Sequence, residues 1–114
     1  MPQPAHVTRL RDADEGSLPE DLQPYFQKCR DKLGFVPNVL RAWLLRPEKL
    51  RTFIRAYDEL MLGPSGLTKL EREMIAVAVS SQNRCYYCLV AHGAAVRKLS
   101  GDPQLGEMVA FNYR

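Results

Sequence analysis

At 114 residues, with 46% hydrophobic and 25% charged side chains, the chain has the make-up of an ordinary soluble one-domain protein, near the size at which partner subunits often help. Its 16 basic and 13 acidic residues are interleaved, so the formal charge of +3 forms no basic block and points to no nucleic-acid partner. No run approaches 18 apolar residues and the N-terminus lacks a signal peptide's apolar core, which leads to the expectation of a cytoplasmic protein with no membrane partner.

Residues 1–16 are polar and proline-bearing and read as an N-terminal arm, with His6 solvated in it. A single helical domain is expected over 17–114. Ser17, with Pro19 in the first turn and Glu20 three residues on, predicts a capped helix start. Leu22, Tyr25, Phe26, Cys29 and Leu33 recur at helical spacing behind it, although Pro24 must sit near the N-terminal end, and Gly34 supplies a C-cap. Cys29 lies on that apolar stripe and is read as packing. Pro37 opens a short helix with Val39, Leu40, Trp43 and Leu44 as its buried face. Pro47 opens a longer amphipathic one marked by Leu50, Phe53, Ile54, Tyr57, Leu60 and Met61, which Gly63 and Pro64 end.

After the loop GPSGL, Thr68 and Glu71 form a second capping box, with Leu70, Met74, Val77, Ala78 and Ser81 on one face of the helix that follows. Glu71 is therefore structural. Glu73 has Leu70 and Val77 as neighbours one turn away, and periodicity alone leaves it between an exposed carboxylate and the edge of the buried stripe. Asn83 either bends the chain or caps the next helix, expected from about Cys85 to Leu99 and closed by Ser100 and Gly101. A last helix follows Asp102 and Pro103. No stretch alternates as a strand would, so the fold class is all-α with about six helices.

The stretch from Glu73 to His92, EMIAVAVSSQNRCYYCLVAH, concentrates the chemistry. On a helical wheel Cys85, Cys88 and His92 fall within a sector of about 60°. Two thiols three residues apart on one face can close a disulfide, and a thiolate at a helix N-terminus is favoured by the macrodipole. The imidazole one turn beyond Cys88 adds a base or a donor. A buried free cysteine is commonly only an apolar filler, and a lone histidine on an apolar face is often a satisfied core residue; the pairing of the three is what argues otherwise. Zinc is the rival, but it wants four ligands, and the chain offers Cys85, Cys88, His92 and a carboxylate, with Cys29 as an outside candidate. No cofactor is called for.

The run from Gly34 to His92, with GFVPN, a helix opened by Pro47 and LTKLEREMIAVAVSSQNRCYYCLVAH, resembles the alkylhydroperoxidase D-like group of the carboxymuconolactone decarboxylase superfamily, in its peroxidase-related branch. The motif there is Glu, eleven residues, then C-x-x-C-x-x-x-H, met by Glu73, Cys85, Cys88 and His92. The likeness is strong over about half the chain. It implies an all-helical domain, a homo-oligomer, and a site that gathers the four residues from two adjacent helices to reduce a hydroperoxide, with an unidentified dithiol reductant or redox protein restoring the thiols. It also implies members that commonly run on beyond the C-terminus here, hence a shortened chain with apolar surface exposed.

The expected chemistry is attack of a thiolate on the distal peroxide oxygen, then condensation of the sulfenic acid with the second thiol, with His92 and Glu73 as a proton relay. Helix-dipole reasoning favours Cys85 as attacker, whereas the resemblance favours Cys88 with Cys85 resolving; Cys88 is the expectation adopted. Alkylhydroperoxidase D itself has a histidine just before its second cysteine where this chain has Tyr87, which is no base near neutral pH and leaves slow turnover or another oxidant open. Tyr86 and Tyr87 are read as rim or interface residues. Two alternatives stand beside the enzyme: a non-enzymatic redox sensor or interaction module, and a zinc-stabilised helical module.

Overall fold

A computed structural model describes residues 14–114, in which six α-helices and no strands are found, in keeping with the all-α expectation. The arm expected over 1–16 lies mostly outside the described residues, as does His6. The helices are α1 (Gln23–Leu33), α2 (Asn38–Arg41), α3 (Pro47–Leu62), α4 (Lys69–Gln82), α5 (Tyr86–Ser100) and α6 (Leu105–Asn112). None is long and apolar enough to cross a membrane. The contacts gather into two compact units, one ending at Ala56 and one comprising Tyr57–Arg114.

The first unit is built on an apolar cluster of Leu18, Leu22, Phe26, Val36, Leu40, Leu44 and Leu50, with Tyr25, Cys29, Phe53 and Ile54 packed against it. Phe26 and Leu50 are fully buried, and each such side chain contributes about 1.5–3 kcal/mol through removal of its surface from water. Trp43 stacks on Phe53 with ring centroids 5.9 Å apart. Outside this cluster the charges pair near solvent: Arg51 grips Asp21 with two bonds of 2.7 and 2.8 Å, and Arg30 pairs with Glu15.

The helix start expected at Ser17 is not there. Asp14 caps a single 3-10 turn, Glu15–Ser17, and Ser17 donates its hydroxyl to the Asp14 carbonyl instead. α1 begins only at Gln23, with Pro24 in its first turn. A helix running from Ser17 would have put Pro24 in its interior, where the ring collides with the carbonyl four residues back. Gly34 does close α1, at φ +82°, in the left-handed region that a glycine enters without steric cost. Along α2 and α3 the predicted faces are only partly covered: Leu40, Leu44 and Leu50 are buried, whereas Val39, Trp43 and Leu60 are exposed.

In the second unit α4, α5 and α6 pack on one another. Thr68 and Glu71 form the expected capping box, their exchange of hydrogen bonds holding the Glu71 carboxyl below the usual range. Arg72 donates to the Gly63 carbonyl at 2.8 Å and so ties α4 to the end of α3. Here the buried residues are few and small or polar: Glu73, Val77 and Ser80 on α4, Gly93 and Val96 on α5, Gly106 on α6. A Cβ on Gly106 would stand 3.0 Å from the Gly93 carbonyl oxygen, so α5 and α6 touch backbone to backbone at this pair. Arg97 to Glu107 (2.8 Å) and Ser81 to the Ala110 carbonyl (2.6 Å) secure α6 at either side.

Candidate redox site

The site begins where α4 ends. Asn83 caps α4, and Arg84 follows at φ +54°. The Cys85 amide donates to the Ser80 carbonyl and the Arg84 amide to the Ser81 carbonyl, both at 3.0 Å. This crossed pair is the Schellman pattern, which needs one left-handed residue, and here an arginine fills the place a glycine usually takes. The hydrogen bond to Ser80 fixes Cys85 at the mouth of α5.

Cys85, not Asn83, caps α5. Its sulfur accepts the Cys88 amide at 3.4 Å, as a serine oxygen would in an ordinary cap. Cys85 therefore stands just outside the helix rather than on its wheel, and its side chain folds back over the first turn to meet Cys88. None of the three described cysteines is in a disulfide, and Cys29 packs against the apolar cluster of the first unit.

The two thiols act on one another, and in opposite directions. Cys85 is held below the ordinary thiol range, first because the Cys88 thiol donates to its thiolate, then because the Cys88 and Tyr87 amides point at it. Cys88 is pushed up, because its proton is committed to Cys85, then by burial and by the Cys85 charge, while the Ser80 hydroxyl acts the other way. The first proton thus leaves Cys85, at the positive end of a 15-residue helix.

Glu73, left open by periodicity, is buried, and its Oε2 lies 2.6 Å from His92 Nδ1. An ionised carboxylate only accepts, so Nδ1 carries the proton and the lone pair sits on Nε2. Glu73 meets His92 while Ser80 meets Cys85, so α4 and α5 run antiparallel and Cys88 lies one turn from His92 on the same face of α5. Among the described residues no group of three or more His, Cys, Asp or Glu is placed to hold a metal ion. Tyr86 and Tyr87 are exposed.

Two further residues belong with this constellation. Tyr57 of α3 has its hydroxyl pushed up, by burial first and then by the Glu73 carboxylate nearby. Ser80 accepts the Cys85 amide on its carbonyl, while its hydroxyl donates to the Ala76 carbonyl. Each sits on an apolar stripe in sequence, and nothing in the spacing marks either as polar company for the thiols.

Residues 47–107 match the model of the carboxymuconolactone decarboxylase family. A peroxidase-related protein from Silicibacter sp. TM1040 is similar over 99% of this chain at 60% identity, with a TM-score of 0.85. An alkylhydroperoxidase AhpD core, a peroxidase-related protein from Ralstonia eutropha JMP134, is similar over 95% at 44% identity and TM-score 0.89. The chain spans 58% and 57% of the lengths of these two proteins. An alkylhydroperoxidase AhpD core from Rhodospirillum rubrum ATCC 11170 is similar over 91% of this chain and 79% of its own, at 30% identity and TM-score 0.73. None of the curated proteins matches. With a family model matched over more than half its length and a 60% identical relative along nearly all of it, the chain belongs to the carboxymuconolactone decarboxylase family, among its alkylhydroperoxidase D-like members.

Proposed function

We propose that the protein is a thiol-dependent peroxidase-like oxidoreductase that reduces hydroperoxides through Cys85 and Cys88. The observation that carries this reading is the thiol pair itself, two cysteines outside any disulfide at the head of α5, with the Cys85 sulfur accepting the Cys88 amide at 3.4 Å. Names of similar proteins that include peroxidase-related and alkylhydroperoxidase lend it support.

In the resting site Cys85 is the thiolate and Cys88 its hydrogen-bond donor, and the lone pair on His92 Nε2 takes up the proton released from the pair, with Glu73 across Nδ1 balancing the charge this brings. As peroxide arrives, the Cys88 proton passes to Cys85, and the Cys88 sulfur attacks the distal oxygen. The S–O bond forms, the O–O bond breaks, and the alkoxide takes the proton from His92. Sulfur is oxidised to the sulfenic acid, the peroxide reduced to an alcohol. The Cys85 thiol then condenses with it, releasing water and leaving the Cys85–Cys88 disulfide. An external dithiol, free or on a redox protein, reduces that disulfide through a mixed disulfide. Association of several copies belongs to the same reading, supported by apolar side chains left at the surface, Phe111 at 83% exposure and Leu60 at 73%.

Peroxide consumption with a dithiol reductant tests the function. Wild type turns over, Cys88→Ser falls to the uncatalysed background, a loss on the order of 10³-fold or more, and His92→Ala loses about 10²-fold or more. A single round of oxidation without steady turnover would instead make the protein a redox sensor. Unchanged consumption in both variants would remove the site.

A further inference from the structure

Arg84 directly precedes Cys85 and sits at φ +54°, where a side chain strains the backbone and a glycine would not. The turn around it is held from several directions. The Asn83 amide donates to the Val79 carbonyl at 2.9 Å, and the Arg84 and Cys85 amides donate to the Ser81 and Ser80 carbonyls. From the other side Ser81 Oγ donates to the Ala110 carbonyl and the Tyr113 hydroxyl to Gln82 Oε1 at 2.7 Å. A strained residue fixed by so many surrounding bonds is a mark of function. The Arg84 side chain is exposed and enters no ion pair with a described residue, so nothing in the described fold accounts for an arginine at this place.

Charge is otherwise scarce here. Between Glu73 and Arg97 the sequence holds one formal charge, that of Arg84, besides the titratable His92 that Glu73 faces. The two residues between the cysteines, Tyr86 and Tyr87, are exposed and uncharged. As a thiolate Cys85 repels any anion that approaches it, and a guanidinium on the adjacent residue offsets that repulsion. Over several ångströms of water the offset is modest and fades with salt. A neutral partner gains nothing from it.

We propose that Arg84 is a specificity-determining residue: its guanidinium favours exchange partners with negative charge beside their sulfur, so the dithiol that restores the Cys85–Cys88 pair is an anionic one. The inference rests on the dithiol reading and adds the charge of the reductant to it. In the reducing step a thiolate of the partner attacks the Cys85 sulfur, the Cys85–Cys88 bond breaks, and Cys88 leaves as a thiolate that water protonates. The partner's second thiolate then attacks the partner sulfur of the mixed disulfide and frees Cys85, and the partner ends as a disulfide, two electrons poorer. The same exchange run backwards, with a disulfide probe as oxidant, passes through the same kind of mixed disulfide and feels the same charge.

The test uses the full reduced chain and two aromatic disulfides, the dianionic dithiobis(nitrobenzoate) and the neutral dithiodipyridine. Cys85 attacks either probe and releases one probe thiolate; Cys88 then releases the other and closes the protein disulfide. Release is followed by absorbance, and quenched samples are mapped by mass spectrometry so that Cys29 is scored apart. Arg84→Gln removes the charge, and Arg84→Gly removes it while relieving the backbone, so one variant of the two keeps an unstrained turn. The hydrogen bonds that hold Cys85 low come from Cys88 and Tyr87 and remain in both. At low ionic strength both variants are expected to react about three- to fivefold more slowly with the anionic probe and at the parent rate with the neutral one. Arg84→Lys keeps the charge and should stay with the parent, and high salt should erase the difference. Equal slowing with both probes would overturn the proposal, because the arginine would then act on the thiolate and not on its partner. No slowing with the anion would overturn it too, as would an Arg84→Lys rate as low as that of Arg84→Gln. These rates need no peroxide. Failure here with peroxidase turnover intact removes the role of Arg84 alone, whereas absence of turnover in the earlier assay removes the function and leaves the probe rates standing.

Discussion

The two units bury opposite kinds of residue. The first hides seven apolar side chains in one cluster and keeps its ion pairs near water. The second hides a glutamate, a serine and two glycines beside only two fully buried valines. Apolar burial stabilises without specifying chemistry, whereas a buried carboxylate is tolerated only when a partner satisfies it. The second unit has given up cohesion to hold Glu73 against His92 and to bring two helices within backbone contact. Mutations should therefore act through volume in the first unit and through polar partnership and backbone clearance in the second.

The largest effect on stability is expected at Phe26. Truncation to Ala should cost about 3–5 kcal/mol in denaturant unfolding, while Arg30→Ala, which removes only a surface ion pair, should stay within about 0.5 kcal/mol. Equal costs for the two would erase the contrast. Glu73→Ala comes next, at about 1–3 kcal/mol, because it leaves the His92 Nδ1 donor half-buried without its acceptor; Glu73→Gln keeps an acceptor oxygen and should recover most of that in the same measurement. No recovery by Glu73→Gln, which matches glutamate in volume, would show that the charge of the carboxylate and not its acceptor oxygen is what His92 needs.

A comparable or smaller cost belongs to the glycine contact. Gly106→Val should cost about 1–3 kcal/mol by forcing α6 off the Gly93 backbone, whereas Gly93→Ala meets only Arg97 Nη1 at 3.5 Å and should be tolerated in thermal melts. The smallest effect, and the one stabilising change, is Arg84→Gly. Relief of the left-handed φ of +54° should raise stability by at most about 1 kcal/mol, and an equal loss would mean that the arginine side chain holds the turn.

What was legible in sequence follows from how local its cause was. The Thr68–Glu71 box and the glycines that end α1 and α5 act within one turn, and they stand where their residues predicted. Six helices followed from period and breakers. The start of α1 was misplaced because Ser17, Pro19 and Glu20 have the letters of a cap, while Pro24 decides the matter from further along. Periodicity put Val39, Trp43 and Leu60 on apolar faces but says nothing of whether another surface covers them. The burial of Glu73 depends on α5 lying across it, a contact 19 residues away in sequence. The turn before Cys85 was blurred for a plainer reason. An arginine occupies the position where a glycine would have announced it, and a cysteine does the capping usually left to serine or aspartate.

The central claim is that Cys85 and Cys88 act as one redox unit, and the most direct measurement is a thiol count and disulfide map after peroxide treatment of the reduced protein. The expected result is the loss of two thiols, a peptide linked from Cys85 to Cys88, and Cys29 still free. Retention of all three thiols, or oxidation that falls on Cys29 with the other two unlinked, would contradict it.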